Sequence, residues 1–166
     1  MGTPLPPLIG PEPAALLARR VSVIVGSRDA AHQPHVMRAV GCRVSDDHRR
    51  ITVFLPRASS RPVLDDIAAN GQIAVVFSEP TTHRTVQFKG LDAIVTPVGA
   101  DDEATVARYL ANFAEEIAEI GFSGDVAKTM LGHAPGDLAA VHFTPLSGFE
   151  QTPGPTAGHA LSPQPR

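Results

Sequence analysis

The feature that most constrains this chain is a series of short β-rich runs whose connections are too short to hold crossover helices. Residues 21–25 and 36–44 are two such runs, joined by the polar segment 27–34, and a third follows at 51–55. A parallel pair needs a crossover of about a dozen residues or more, whereas an antiparallel pair closes through a hairpin. The spacing therefore predicts a mainly antiparallel sheet. Residues 73–77, IAVVF, form an unbroken apolar run between Asn70-Gly71 and Glu79-Pro80, the pattern of a central strand buried on both faces. Residues 84–98 read as one long strand. Val86 and Phe88 share a face, Leu91, Ala93 and Val95 continue in the opposite phase, and a bulge at Gly90 would account for the switch. Residues 138–149 complete the set.

Three segments change to helical period. In residues 59–70, Val63, Leu64, Ile67 and Ala68 make one stripe, Ser60 can cap, Pro62 suits a first turn and Asn70-Gly71 stops the helix. Residues 101–120 are the clearest case, with Val106, Leu110, Phe113, Ile117 and Ile120 in register and three acidic residues at the positive end. A short helix covers residues 125–131. Six strands with so few interposed helices predict a fold that is mainly β with flanking helices, an antiparallel β-barrel of about six strands.

At 166 residues the chain makes about one domain. Residues 1–150 form it, and residues 151–166, rich in proline and glycine, form a C-terminal arm expected to be extended. Prolines interrupt the N-terminal segment where a signal peptide needs an apolar run, and no stretch approaches the ~20 apolar residues of a membrane span. A soluble, cytoplasmic protein without a membrane partner is expected. The net charge of −3, without a dense basic block, argues against nucleic acid. Cys42 is the single cysteine, so no internal disulfide forms, and its mid-strand apolar setting predicts an inert thiol. His32 and His35 share a turn but lack a third ligand, and no metal site is expected.

Two segments offer chemistry. In PRASSRPVLDD a strand ends, Arg57, Ser59, Ser60 and Arg61 follow, and a helix begins at once. Free N–H groups at a helix start, hydroxyls and a bidentate arginine together suit a phosphate. A serine-capped helix with two solvated arginines explains the same residues about equally well. Further on, Thr85, Gln87 and Lys89 alternate onto one strand face, a row that could line a polar heterocycle or simply face solvent. Arg38 stands among Val36, Val40, Cys42 and Val44, where a charge requires either an acidic partner or a ligand.

In order, GSRDAAHQPHVM, ITVFLPRASSRPVLDDIAANGQIAVVF and RTVQFKGLDAIV resemble the core of the pyridoxamine 5'-phosphate oxidase-like flavin proteins. The resemblance covers roughly residues 20 to 98. It implies a split β-barrel homodimer with FMN in a groove at the subunit interface. Ser60 and Arg61 match the phosphate-binding turn, with Ser59 and Arg57 beside them. Gln87 and Lys89 fall in the strand that runs beside the flavin, and Arg38 approximates an upstream arginine. The chain departs from the true oxidases at Pro62, where they carry lysine, and at Thr85, where they carry glutamine. The arginine-bearing C-terminal segment is replaced by FEQTPGPTAGHALSPQPR, so vitamin B6 oxidation is not expected. The resemblance implies an FMN-dependent oxidoreductase acting on a small molecule. The alternative is a non-catalytic binder of flavin, haem or deazaflavin, with His83 or His142 as the axial ligand of a haem. A barrel without cofactor, serving as an interaction subunit, is the third reading.

Overall fold

The computed structural model describes residues 6–163. Residues 1–5, at the start of the proline-containing N-terminal segment, and 164–166, at the end of the expected arm, lie outside the described residues. Among the described residues nine strands form two antiparallel sheets, not one sheet of six. The difference has a single cause, because three runs that read as continuous strands each bend at a corner and serve both sheets.

The first corner divides residues 36–44 into β2, Pro34–Arg38, and β3, Gly41–Val44. It falls on one peptide: the Ala39 N–H donates to Val23 O in one sheet and the Val40 N–H to Phe54 O in the other. Both residues are buried. The second corner divides the long strand 84–98 into β6, Thr85–Gly90, and β7, Ile94–Pro97. Gly90 is therefore a corner and not a bulge within one ladder. A Cβ there would lie 2.7 Å from Phe143 Cδ2 and 3.0 Å from Thr144 O. The third corner divides residues 138–149 into β8, Leu138–Phe143, and β9, Ser147–Glu150.

With β1, Ser22–Arg28, β4, Ile51–Pro56, and β5, Ile73–Ser78, the sheets run β2-β1-β5-β6-β9 and β3-β4-β8-β7. The central position expected of β5 is found. Its burial on both faces is not, since Ile73, Val75 and Phe77 are buried while Ala74, Val76 and Ser78 are half-buried on the outer face. Inner-face residues Val23, Val25, Phe77 and Phe88 pack with Ile51, Val53, Val141 and Phe143 of the four-stranded sheet in one core.

Among the described residues four helices flank the sheets. α1, Pro11–Leu17, was not anticipated. Proline at its first turn is compatible with helix, and Leu16 and Leu17 seal the core. α2, Arg61–Asn70, ends as read, with Gly71 in the left-handed region (φ 68°) and its N–H on Ile67 O. Ser60 precedes it without making a side-chain cap bond. α3, Ala100–Glu119, buries Val106, Phe113 and Ile117 as the stripe predicts but leaves Ile120 exposed. α4, Gly124–Leu131, packs on it.

The C-terminal arm turns back instead of extending. The Gly158 N–H donates to Glu150 O, the Leu161 N–H to Gly148 O, and Ala160 bridges Phe149. Residues 158–161 thereby lie along the free edge of β9, a site otherwise open to strand addition. Among the described residues no helix is long and apolar enough to cross a membrane.

Candidate functional site

Register places Arg38, Gln87 and Lys89 on one surface. Directly opposed residues of an antiparallel pair point to the same face. The row Arg38, Ile24, Val76, Gln87, Phe149 therefore crosses the outer face of the five-stranded sheet from β2 to β9. The adjacent row is Val36, Gly26, Ala74, Lys89, Ser147. This face is mostly half-buried, and Val36 is 66% exposed.

The second row holds a groove of about 340 Å³. Gly26 and Ala74 form its floor, between Val36 on one side and Lys89 and Leu91 on the other, with Arg28 at one end. A Cβ added at Gly26 would meet nothing closer than Ala74 O at 3.7 Å, and its φ is not in the left-handed region. Neither the backbone nor the packing of this chain requires glycine there. Its absent side chain opens a flat, apolar floor. Lys89 Nζ lies 5.0 Å from the Phe149 ring centroid, and the Arg28 guanidinium donates to Asp29 O at 3.0 Å. Among the described residues neither cation is paired with a carboxylate.

The turn between β4 and α2 is a separate place. α2 spans about 15 Å, and the groove lies toward its far end, at Gln72. Arg61 is 84% exposed at the side chain and stands 3.8 Å from Asp65. Ser59 and Arg57 are also exposed. The Arg57 N–H donates to Asp137 O and its Nε to Leu138 O, while the Ala58 N–H donates to the Asp137 carboxylate at 3.1 Å. Ser60 is fully buried, and its Oγ has no hydrogen-bond partner among the described residues. An orphaned buried hydroxyl costs about 1–3 kcal/mol.

Arg38 belongs to neither place. It lines a hollow between the edge of the sheet and α3–α4, where its only hydrogen bond among the described residues goes to Ser22 Oγ at 2.5 Å. The acidic partner that its apolar strand position could have implied is not found among the described residues. Thus the structure brings Arg57, Ser59, Ser60 and Arg61 together at the turn, Gln87 and Lys89 together on the sheet, and leaves Arg38 at the edge.

The histidines considered for haem fare differently. Both ring nitrogens of His142 are engaged, Nδ1 with Thr52 Oγ1 and Nε2 with Thr96 Oγ1, each at 2.8 Å. Burial, followed by Arg43 and Arg50, pushes its pKa down, which favours the neutral ring that this arrangement uses. No nitrogen is left to ligate iron, so His142 is corrected from that role. His83 sits exposed in the β5–β6 loop at φ 60°. Burial raises the Cys42 thiol to about 12, and it donates to Leu17 O at 3.6 Å, consistent with the inert role expected. A cavity of about 460 Å³ between α1, β3 and α3 holds none of the anticipated residues. Its Arg19 and Arg43 are paired with Glu79 and Asp102.

Sequence reasoning missed Asp66. This residue is 6% exposed, and its Oδ2 accepts from Ser27 Oγ at 2.7 Å and lies 2.8 Å from His35 Nδ1. The cluster fastens α2 to the β1–β2 hairpin directly behind the groove. A signal was present, because an acid at 66 falls within the buried stripe of Val63 and Ile67. Burial pushes the Asp66 carboxyl up, but the bonds from His35 and Ser27, with the charge of His35, prevail and leave it below its ordinary value. A carboxyl lowered by folding stabilises above its unfolded pKa, and that contribution is lost as pH falls through the folded one. Urea unfolding is therefore expected to show stability falling below pH ~4, with a shallower fall in Asp66→Asn. Equal slopes would remove Asp66 from the acid response.

No family model matches the chain, and no curated protein does either. Solved structures do. HupZ of Group A Streptococcus is similar at a TM-score of 0.57 and 19% identity, over 90% of this chain and 99% of that one. An F420 reductase is similar at 0.54 and 16%, over 81% and 93%. A candidate pyridoxamine 5'-phosphate oxidase from Lactobacillus delbrueckii is similar at 0.53 and 16%, over 84% and 92%. At these identities the likeness is one of fold, and the fold is that of the pyridoxamine 5'-phosphate oxidase-like proteins.

Proposed function

We propose that this chain binds a flavin-type cofactor, FMN, on the outer face of its five-stranded sheet and acts as an oxidoreductase on a small molecule. The observation that carries the reading is the groove floored by Gly26 and Ala74, a flat apolar bed that no feature of the chain itself requires. A planar ring fits such a floor, with apolar contact below and cations at the margins. The fold shared with a candidate pyridoxamine 5'-phosphate oxidase and an F420 reductase supports the same class of ligand. A deazaflavin presents a similar planar face and is the alternative occupant. Haem would have to take His83 as its ligand, since both ring nitrogens of His142 are engaged.

The residues present fit the cofactor in two parts. Gln87 and the Lys89 ammonium would meet the polar edge of the ring and hold negative charge there. Ser59, Arg61 and the first N–H groups of α2 would hold a phosphate, while the buried Ser60 Oγ is enclosed and stays out of reach. Once bound, the flavin supplies the electron-transfer chemistry, while the protein positions it and shields it from water. None of the turn residues Arg57, Ser59, Ser60 and Arg61 lines the groove. In a homodimer of split-barrel protomers the turn of one copy would complete the sheet face of the other, which the resemblance also implies. The exposed apolar Val36 and Leu91 at the groove give such a dimer something to bury.

Quenching of FMN fluorescence by the purified protein tests this. Arg61→Ala is expected to weaken binding about tenfold without moving the melting temperature, because the side chain is exposed. Ser60→Ala is expected to leave binding unchanged and the protein equally or more stable, since it removes a buried hydroxyl without a partner among the described residues. Wild-type protein that quenches neither FMN nor F420 at micromolar concentration would overturn the reading.

A further inference from the structure

The hollow beside the outer face has a chemistry of its own. It measures about 240 Å³ and is lined by Arg38 together with Phe113, Ile117, Ile120, Phe122 and Met130 of α3, α4 and the loop between them. Ile120, Phe122 and Met130 are 47%, 52% and 41% exposed, which makes this a cluster of large apolar side chains rather than scattered ones. In their midst Arg38 is half-buried, and among the described residues it has no carboxylate partner. A guanidinium carries five N–H donors, and one of them, on Nη1, goes to Ser22 Oγ. The others have no partner among the described residues.

A cation held in apolar surroundings needs an opposite charge, and the described residues supply none at this point. A guanidinium fork matches the two oxygens of a carboxylate. The apolar cluster matches a hydrophobic body, and the volume, below the ~300–1,000 Å³ of drug-sized sites, limits that body to about one ring or a short branched chain. We infer that the hollow is a binding site for a small apolar monocarboxylate, an aromatic or branched aliphatic acid, with Arg38 as its anchor.

Its position gives the site a use. Arg38 is two residues along β2 from Val36 at the groove, about 7 Å away. An acid anchored on Arg38 would lie at the margin of the cofactor bed. Binding of the acid stands without the cofactor. Its service as the substrate rests on the flavin reading.

The test uses the full chain without cofactor and two probes of one shape, benzoate and the uncharged benzamide. Carbon-13 methyl spectra report on Met130 and Ile120. Benzoate is expected to shift both methyls saturably and about tenfold more tightly than benzamide. Arg38→Gln should lose that preference while keeping the rest of the methyl spectrum, which shows that it folds. Phe122→Ala should weaken both probes. Equal binding of the two probes, or no saturable shift from benzoate, would overturn the inference. So would Met130 and Ile120 shifts that follow protein concentration with no probe present, because the hollow would then be covered by a second copy. FMN quenching of the same samples keeps this result apart from failure of the flavin reading.

Discussion

Gly26→Val is expected to remove most FMN binding while leaving the protein's melting temperature unchanged. The argument is one of where the space lies. A Cβ at position 26 has ordinary van der Waals distance to its nearest neighbour, Ala74 O at 3.7 Å, and the branched side chain would project from the outer face. β-branched residues suit strands, so folding has no reason to suffer. The added methyls instead occupy the bed of the groove, where overpacking against a ring costs about 1–3 kcal/mol, or roughly ten- to a hundredfold in affinity. Fluorescence titration and a melting curve on the same sample decide the matter. Unchanged affinity would move the cofactor elsewhere, and a lowered melting temperature would mean that Gly26 is a structural requirement after all.

The second large effect runs the other way. Gly90→Ala is expected to destabilise the protein by about 3 kcal/mol and to lower the melting temperature by roughly 6–12 °C. Its Cβ would press on the Phe143 ring, which is 1% exposed and locked in the core, and on the backbone oxygen of Thr144. Neither neighbour can yield without moving the corner at which β8 leaves its sheet. Chemical denaturation at one pH measures this directly. A loss below 1 kcal/mol would show that the corner relaxes.

These two glycines show how far the sequence could be read. Gly90 announced itself through the phase change between Phe88 and Leu91, although the cause is a change of sheet and not a bulge. Gly26 gave no signal, because a glycine between Val25 and Ser27 in a strand pattern does not say which side needs room. The corners escaped for a related reason. Where the chain passes from one sheet to the other at Ala39 and Val40, both residues are buried, so the apolar run continues through the bend and Gly41 just beyond it reads as part of the same strand. α2, α3 and α4 were legible because stripe and stop signals agreed, as at Asn70-Gly71. α1 was hidden behind prolines that belong to its own first turn.

The site was legible in its parts and not in its assembly. The alternation of Thr85, Gln87 and Lys89 shows one face, but which residues of β1, β2 and β5 join them depends on register across three ladders. The Ser-Arg turn read as a set of donors. Only the fold shows that its serine points inward and that Asp137 already holds one of its N–H groups.

The three corners bear also on how the molecule comes apart. Each sheet is stitched from segments scattered along the chain, and three covalent threads pass from one to the other within a few residues. Neither sheet can fray while its neighbour stands, so loss of order should be all-or-none, with amide protons in β1, β4, β5 and β8 exchanging at one common, slowest rate. The same stitching places the last strand of the five-stranded sheet, β9, at residues 147–150. During synthesis that sheet would wait for nearly the whole chain, leaving the earlier apolar strands in need of protection until it arrives.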